Sequence, residues 1–259
     1  MAGLDHLDDA NSEPFVITAV LEQGIVLDSF YGLALDGILV SQMRKAKAVD
    51  LGLRRDGGQE LDGGLHVDEP IDWPIPIARC VPDGFEDDWH WMCSVGFPID
   101  TEGRVISDRI PDTHRLSVRL DARRANQVSV KVPSTAGGSS GRFRTRITPV
   151  LSLPAYAVRW RAVGNMDETR ELISSVSAIG ARRGSGEGAV THWAIERATE
   201  IDNPWEFAHK DLNDSGPSRP MPITCASVVV KGATRQGIAG VRPPLLHRSR
   251  QRLLALPGD

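Results

Sequence analysis

The chain is short of cysteine, tyrosine and lysine, with three Cys, two Tyr and five Lys among 259 residues. Cys80, Cys93 and Cys225 cannot all pair, and no two of them share the close spacing of a metal knuckle, so a disulfide framework is excluded and a reducing compartment is the simple reading. His90 and Cys93 form an HxxC pair, but no second pair at zinc-like spacing completes four ligands. These two are read as core residues, and no metal or other cofactor is assigned. No stretch approaches the ~20 apolar residues that a membrane span requires, and residues 1–9 are acidic without an apolar h-region. A soluble, cytoplasmic protein with no membrane partner is expected. Enzyme signatures are absent too: there is no GxSxG, no HExxH and no HxE with PCxxC. Paired carboxylates are so common in the acidic first third that chance alone would match two of them. No catalytic residues are assigned.

What is there is an uneven charge. The formal net charge is −4 and 41% of residues are hydrophobic, enough for a core in one large domain or two small ones, which excludes disordered and fibrous classes. Residues 1–103 hold 6 Lys+Arg against 20 Asp+Glu, a balance of −14, whereas residues 104–183 hold 15 against 6, a balance of +9. The remaining residues carry 9 against 8. An 80-residue stretch with that excess can neutralise several phosphates, which the total charge conceals. Arg outnumbers Lys 25 to 5. That bias fits either a GC-rich genome or a preference for bidentate phosphate ligands.

Residues 1–14 read as a polar leader. FVITAVL at 15–21 is apolar on both faces and suits a covered central strand. Leu35, Ile38, Leu39 and Met43 recur at helical spacing, with Arg44, Lys45 and Lys47 at the C-terminal end, where cations oppose the helix dipole. Residues 50–103, rich in Gly, Pro and Asp, show no period and read as an irregular acidic insertion. Its Trp73, Trp89 and Trp91 read as packing anchors rather than base-stacking platforms. Leu116, Val118 and Leu120, then Val128, Val130 and Val132, alternate with polar residues as two strands. The connection between them carries Arg123 and Arg124. PSTAGGSSG at 133–141 is a flexible loop by composition. RFRTRI follows, with Arg142, Arg144 and Arg146 on one side of a strand. Residues 156–163 form another strand, with Arg159 and Arg161 opposite Tyr156, Val158 and Trp160.

Asn165 and Glu168 have the form of a capping box, and Leu172, Ile173, Val176 and Ile179 follow at helical spacing, with Gly180 suited to the C′ position. Then comes GARRGSGEG at 180–188, and a strand from Ala189 to Arg197. The glycines at 180, 184, 186 and 188 let backbone approach a polyanion, and Arg182 and Arg183 supply charge. No GK[ST] follows, so it is not a Walker A loop, and its helix-to-strand direction is not that of a Rossmann fingerprint. The plain alternative is a helix-to-strand connection with genomic arginines. CASVVVK at 225–231 reads as a short strand, and the chain closes on HRSRQR at 247–252.

The order strand, helix, strand, strand, helix, strand is the βαββαβ order of an α+β, ferredoxin-like (RRM-like) domain with long insertions. The segments LALDGILVSQM (33–43), ELISSVSAIGARRGSGEGAVTHWAIE (171–196) and RPPLL (242–246) resemble the RAMP superfamily of CRISPR-associated proteins, most closely the subunit that caps the 5′ handle of the guide RNA in type IV effector complexes. The resemblance covers residues 15–48 and 113–197 as a single RAMP core. It implies a long β-hairpin thumb at about 122–146 and a C-terminal extension at 198–259. It also implies a non-catalytic crRNA-binding subunit of an antiviral ribonucleoprotein, with guide RNA, the filament-forming backbone subunits and a large or small effector subunit as partners. The RNA-binding residues expected on this basis are Gly180, Arg182, Arg183, Gly184, Ser185, Gly186, Gly188, Arg123, Arg124, Arg142, Arg144, Arg146, Lys45, Lys47 and His192. Some relatives cut precursor RNA, usually with a histidine or a Tyr, Lys and His set; here neither Tyr31 nor Tyr156 sits beside a Lys and a His. A metal-independent endoribonuclease using His114 or His192 is the alternative, and an interaction module whose acidic third binds a basic neighbour is a third.

Overall fold

A computed structural model describes residues 12–27, 33–50, 70–82, 86–106, 112–119, 146–181, 183, 186–214, 216–229 and 234–257. Strand β1 (Glu13–Leu21) alternates strictly, with Phe15, Ile17, Ala19 and Leu21 buried and Val16, Thr18 and Val20 half-buried. It is the centre of a four-stranded antiparallel sheet. On one side lies β7 (Ala157–Gly164), and on the other β8 (Val190–Arg197). The short β4 (Phe97–Ile99) adds to the free edge of β7, which gives the order β4-β7-β1-β8. With four α-helices among the described residues, this is a mixed architecture compatible with an α+β fold.

One face of the sheet is closed by α1 (Leu35–Asp50) and α2 (Met166–Ser174). Leu35, Leu39 and Ile173 pack there on Phe15, Ile17 and Trp160, all fully buried. Trp160 reaches across the layer, and its indole Nε1–H donates to the Leu33 carbonyl at 2.8 Å. Asn165 caps α2 as its sequence suggests: its side-chain oxygen accepts from the Asp167 and Glu168 amides at 3.1 Å, and its Nδ2 donates to Glu168 at 2.8 Å.

The opposite face carries a second, smaller core. It is built from β2 (Arg79–Cys80), β3 (His90–Trp91), α3 (Pro204–His209) and α4 (Ile223–Val229), around Met92, Val163, Phe207 and Met221. A C-terminal ladder of β9 (Gln236–Gly240) and β10 (Gln251–Ala255) closes it. Among the described residues, strands β5 (Asp112–Arg119) and β6 (Arg146–Ser152) pair only with each other, as a separate hairpin.

Four expectations need correction. The second strand of the main sheet is β4, not residues 116–120, which lie mainly in the separate β5. Three residues containing Pro98 leave no period to detect, whereas the hairpin arm alternates cleanly. Residues 70–103 are correspondingly not an irregular insertion throughout, because Trp91, Cys93, Val95, Phe97 and Ile99 are buried. Helix α2 ends at Ser174, so Val176 and Ile179 are buried in an extended segment rather than on a helix. There the Ser174 hydroxyl donates back to the Glu171 carbonyl, and the chain then pairs with 188–190: the Ile179 amide donates to Gly188 and the Val190 amide to Ser177, each at 2.9 Å. Gly180 therefore is not a helix C′ residue. Finally, residues 223–229 are helical, not a strand. Pro222 starts the turn by accepting from the Ala226 amide, and Cys225, Ala226 and Val229 are buried on one helical face, a tertiary demand that overrides the β-branched run. The expected strand at 128–132 lies outside the described residues, as do residues 141–145.

Candidate nucleic-acid interface

Two basic elements far apart in sequence meet at one end of the main sheet. After β1 the chain turns through residues 22–27, and this short strip is laddered on both sides. Ile25 exchanges hydrogen bonds with Leu153 at the base of the hairpin, at 3.0 and 2.8 Å. On the other side, the Ala181 amide donates to the Val26 carbonyl at 2.9 Å and the Gly188 amide to the Gly24 carbonyl at 3.0 Å. The glycine loop and the hairpin base are thus fixed to the same three residues. Gly188 (φ +65°) is required at its position, because a Cβ there would lie 2.0 Å from the Ile179 carbonyl oxygen. Gly180 (φ +78°) is required likewise, with the Val26 carbonyl 2.7 Å from a Cβ.

These close approaches alter what the loop can offer an anion. The amides of Ala181, Gly186 and Gly188 all donate to protein carbonyls, so they are not available to a phosphate. What remains among the described residues is Arg183, which is exposed. It lies on the rim of a cleft of about 340 Å³ between the loop (Val176, Ala178, Ile179, Gly180) and α1 (Gly37, Ile38, Ser41, Gln42). Glu187 is buried in the fold and lines a different cleft, of about 560 Å³.

The other expected residues scatter. Lys45 and Lys47 are exposed on the turns of α1 beyond Gln42, outside the cleft. His192 is exposed on β8, opposite Val20 in the ladder, and so belongs to the sheet face away from α1 and α2. Arg146 starts β6, where the register sets it opposite Arg119. Arg123, Arg124, Arg142, Arg144, Arg182, Gly184 and Ser185 lie outside the described residues.

One arginine at the sheet was not among those expected to bind. Arg159 shares the ladder position of Thr18, on the face away from α1 and α2. It lines a cleft of about 620 Å³ with Arg104 and Arg161, and its buried Nε has no hydrogen-bond partner among the described residues. Its neighbour Arg161 is spent internally, on the Asp211 carbonyl and Asp214 at 2.8 and 2.9 Å and over the Phe207 ring. The alternation in 156–163 separates these arginines from Trp160; what it lacks is any sign of which one has a partner.

Linear spacing also misses a group on the same side of the sheet. Cys80, His90, His209 and Cys225 converge in the second core. Burial pushes His90 down to about 3, which keeps it neutral, and a hydrogen bond from Cys225 is the main cause that brings Cys80 down to about 3. Cys93, the other half of the HxxC pair, lies elsewhere. Its sulfur accepts from Arg219, and burial pushes its thiol up to about 12. The linear signal that could have pointed to the cluster is slight: Cys80 and His90 flank a turn as direct cross-strand partners.

The acidic first third is partly neutralised by the chain's own tail. Asp72 pairs with Arg242 and Arg250, Asp88 with Arg252, and Asp36 with Arg219. Trp89 carries the guanidinium groups of Arg79 and Arg242 over its ring, 4.5 and 4.3 Å from its centre, and Trp91 is buried, so both are packing anchors as expected. Among the described residues no helix is long and apolar enough to cross a membrane. No family model matches the chain, and no curated protein matches it either.

Proposed function

We propose that the protein is a non-catalytic, RNA-binding subunit of a CRISPR ribonucleoprotein, a RAMP-type domain that holds the 5′ handle of a guide RNA and caps a filament of backbone subunits. The observation that carries this reading is the convergence of the basic hairpin and the glycine loop on residues 24–26. It brings two parts of the +9 segment, the hairpin base and the start of the glycine loop, to one end of the sheet. The strand order supports the fold assignment: with β1, β4, β7 and β8 as the four core strands, β4-β7-β1-β8 is the antiparallel order of a ferredoxin-like sheet. Hairpin β5–β6 is then an insertion between the second and third core strands, a suitable thumb. Its register sets Arg119 opposite Arg146.

Arg183, with Arg182 beside it in sequence, would contact phosphates from the loop, and the arginines of the hairpin would extend the track. The glycines act by letting the loop pack against residues 24–26 rather than by presenting amides. Arg159 is a further candidate contact, from its cleft on the sheet face away from α1 and α2. Single-stranded phosphate contacts each contribute roughly 0.7 to the slope of log affinity against log salt. Replacing both Arg182 and Arg183 by alanine should therefore weaken binding of repeat RNA and lower that slope by about 1.4. Unchanged affinity and slope would remove the loop from the interface. The same preparation incubated with repeat RNA without metal should leave it intact; a defined cut abolished by His192→Ala or His114→Ala would replace this reading with that of an endoribonuclease.

A further inference from the structure

Hydrophobic packing does not account for the polar knot in the second core. Cys80, His90, His209 and Cys225 are all buried, and one ligand atom from each lies within 4.8 Å of the others. Cys80 and His90 face each other on the β2–β3 ladder, His209 ends α3, and Cys225 lies in the first turn of α4. We propose that these four side chains form a structural Zn²⁺ site that staples the 70–103 segment to the C-terminal segment.

The geometry fits an ion better than a disulfide or a simple hydrogen-bonded cluster. The two sulfurs are 3.8 Å apart. A disulfide needs about 2.05 Å, whereas two thiolates at about 2.3 Å from a tetrahedral Zn²⁺ sit roughly 3.8 Å from each other. His209 Nδ1 lies 2.6 Å from the Trp205 carbonyl oxygen, and a carbonyl only accepts, so the proton is on Nδ1 and Nε2 is bare, the tautomer of a metal ligand. That bare nitrogen points at His90 Nε2, 2.9 Å away. On the thiolate side, the Trp205 indole N–H donates to the Cys80 sulfur at 3.2 Å, the kind of outer contact that orients a ligand and stabilises its charge.

The surrounding elements explain why a staple is useful. Strands β2 and β3 are two residues each, α3 is six and α4 is seven, all too short to hold by themselves. The sequence separation of 145 between Cys80 and Cys225 makes the cross-link a long-range one. A two-sulfur, two-nitrogen donor set selects zinc over hard cations, and four protein ligands leave no open position for water or substrate, so the role is structural rather than catalytic.

The test is metal analysis of tag-free, full-length protein purified without added metal. About one zinc per chain is expected, lost in Cys225→Ser and retained in Cys93→Ser. Because a ligand variant can fail to fold, wild-type protein is also stripped with a chelator and titrated with Co²⁺. Intense visible bands of tetrahedral cobalt and a thiolate-to-cobalt band, saturating at one equivalent, support the site. Protein that is zinc-free as isolated and takes up no Co²⁺ overturns it. So does loss of zinc from Cys93→Ser, or a Cys80–Cys225 disulfide in the unreduced chain.

Discussion

Asp36→Asn removes the one charge that compensates a buried guanidinium. Arg219 is 3% exposed at its side chain and Asp36 0%, and their contact is 2.9 Å. The other acceptors around Arg219 are neutral: Val241 O at 3.1 Å, and Trp91 O and Cys93 O at 3.3 Å, while its Nε has no partner among the described residues. Burial works against the Arg219 charge, but Asp36 first and then Cys93 outweigh it and the net shift is upward. Asparagine keeps the volume and loses the charge, so the penalty is that of breaking a buried pair, about 3–5 kcal/mol. That is a large share of the ~5–15 kcal/mol of a typical domain. At about 2–4 °C per kcal/mol for a chain of this size, the melting midpoint should fall by roughly 6–20 °C. Urea unfolding followed by tryptophan fluorescence reads the effect, since Trp91 is bonded to the pair. An apolar double variant, Asp36→Leu with Arg219→Met, should recover much of the loss, because neither charge is left uncompensated. A single-variant cost below about 1 kcal/mol, or a double variant equal to the sum of two singles, would refute the reasoning.

Two glycines should respond in opposite directions to alanine. Gly188→Ala meets both a positive φ and the Ile179 carbonyl, and should cost on the order of 1–3 kcal/mol and loosen the loop; Gly37→Ala, inside α1 with nothing within 4 Å, should stabilise by about 0.5–1 kcal/mol. Denaturant midpoints of the two variants check this. Cys93, its thiol pushed up to about 12 by burial, should resist alkylation in the folded chain and react only on unfolding, as mass spectrometry of labelled peptides will show. Trp160→Phe should cost about 2–4 kcal/mol, since it leaves a cavity and an unpaired Leu33 carbonyl, and thermal unfolding measures it.

Elements with their own local period were legible in the sequence. Strand β1, helix α1, strands β7 and β8 and the Asn165 cap each carry their signal within a dozen residues. Strand β4 does not, because three residues cannot show alternation and Pro98 argues against a strand. The hairpin arms show the opposite case: their alternation is real, but period alone does not say which sheet a strand joins. Charge was half legible. The −14 of residues 1–103 looks like a partner's surface, yet Asp36, Asp72 and Asp88 meet Arg219, Arg242, Arg250 and Arg252 of the same chain. The Cys/His cluster was hidden for the same reason, as its members come from two segments more than a hundred residues apart.

Hydrogen exchange of the full-length chain with and without repeat RNA tests the RNA-binding end most directly. If the hairpin base and the glycine loop form one interface, RNA should slow exchange together in 146–153 and 178–189, with the turn at 22–27 following them. Exchange left unchanged in those three segments, or slowed only in 70–103, would contradict RNA binding at this end of the sheet.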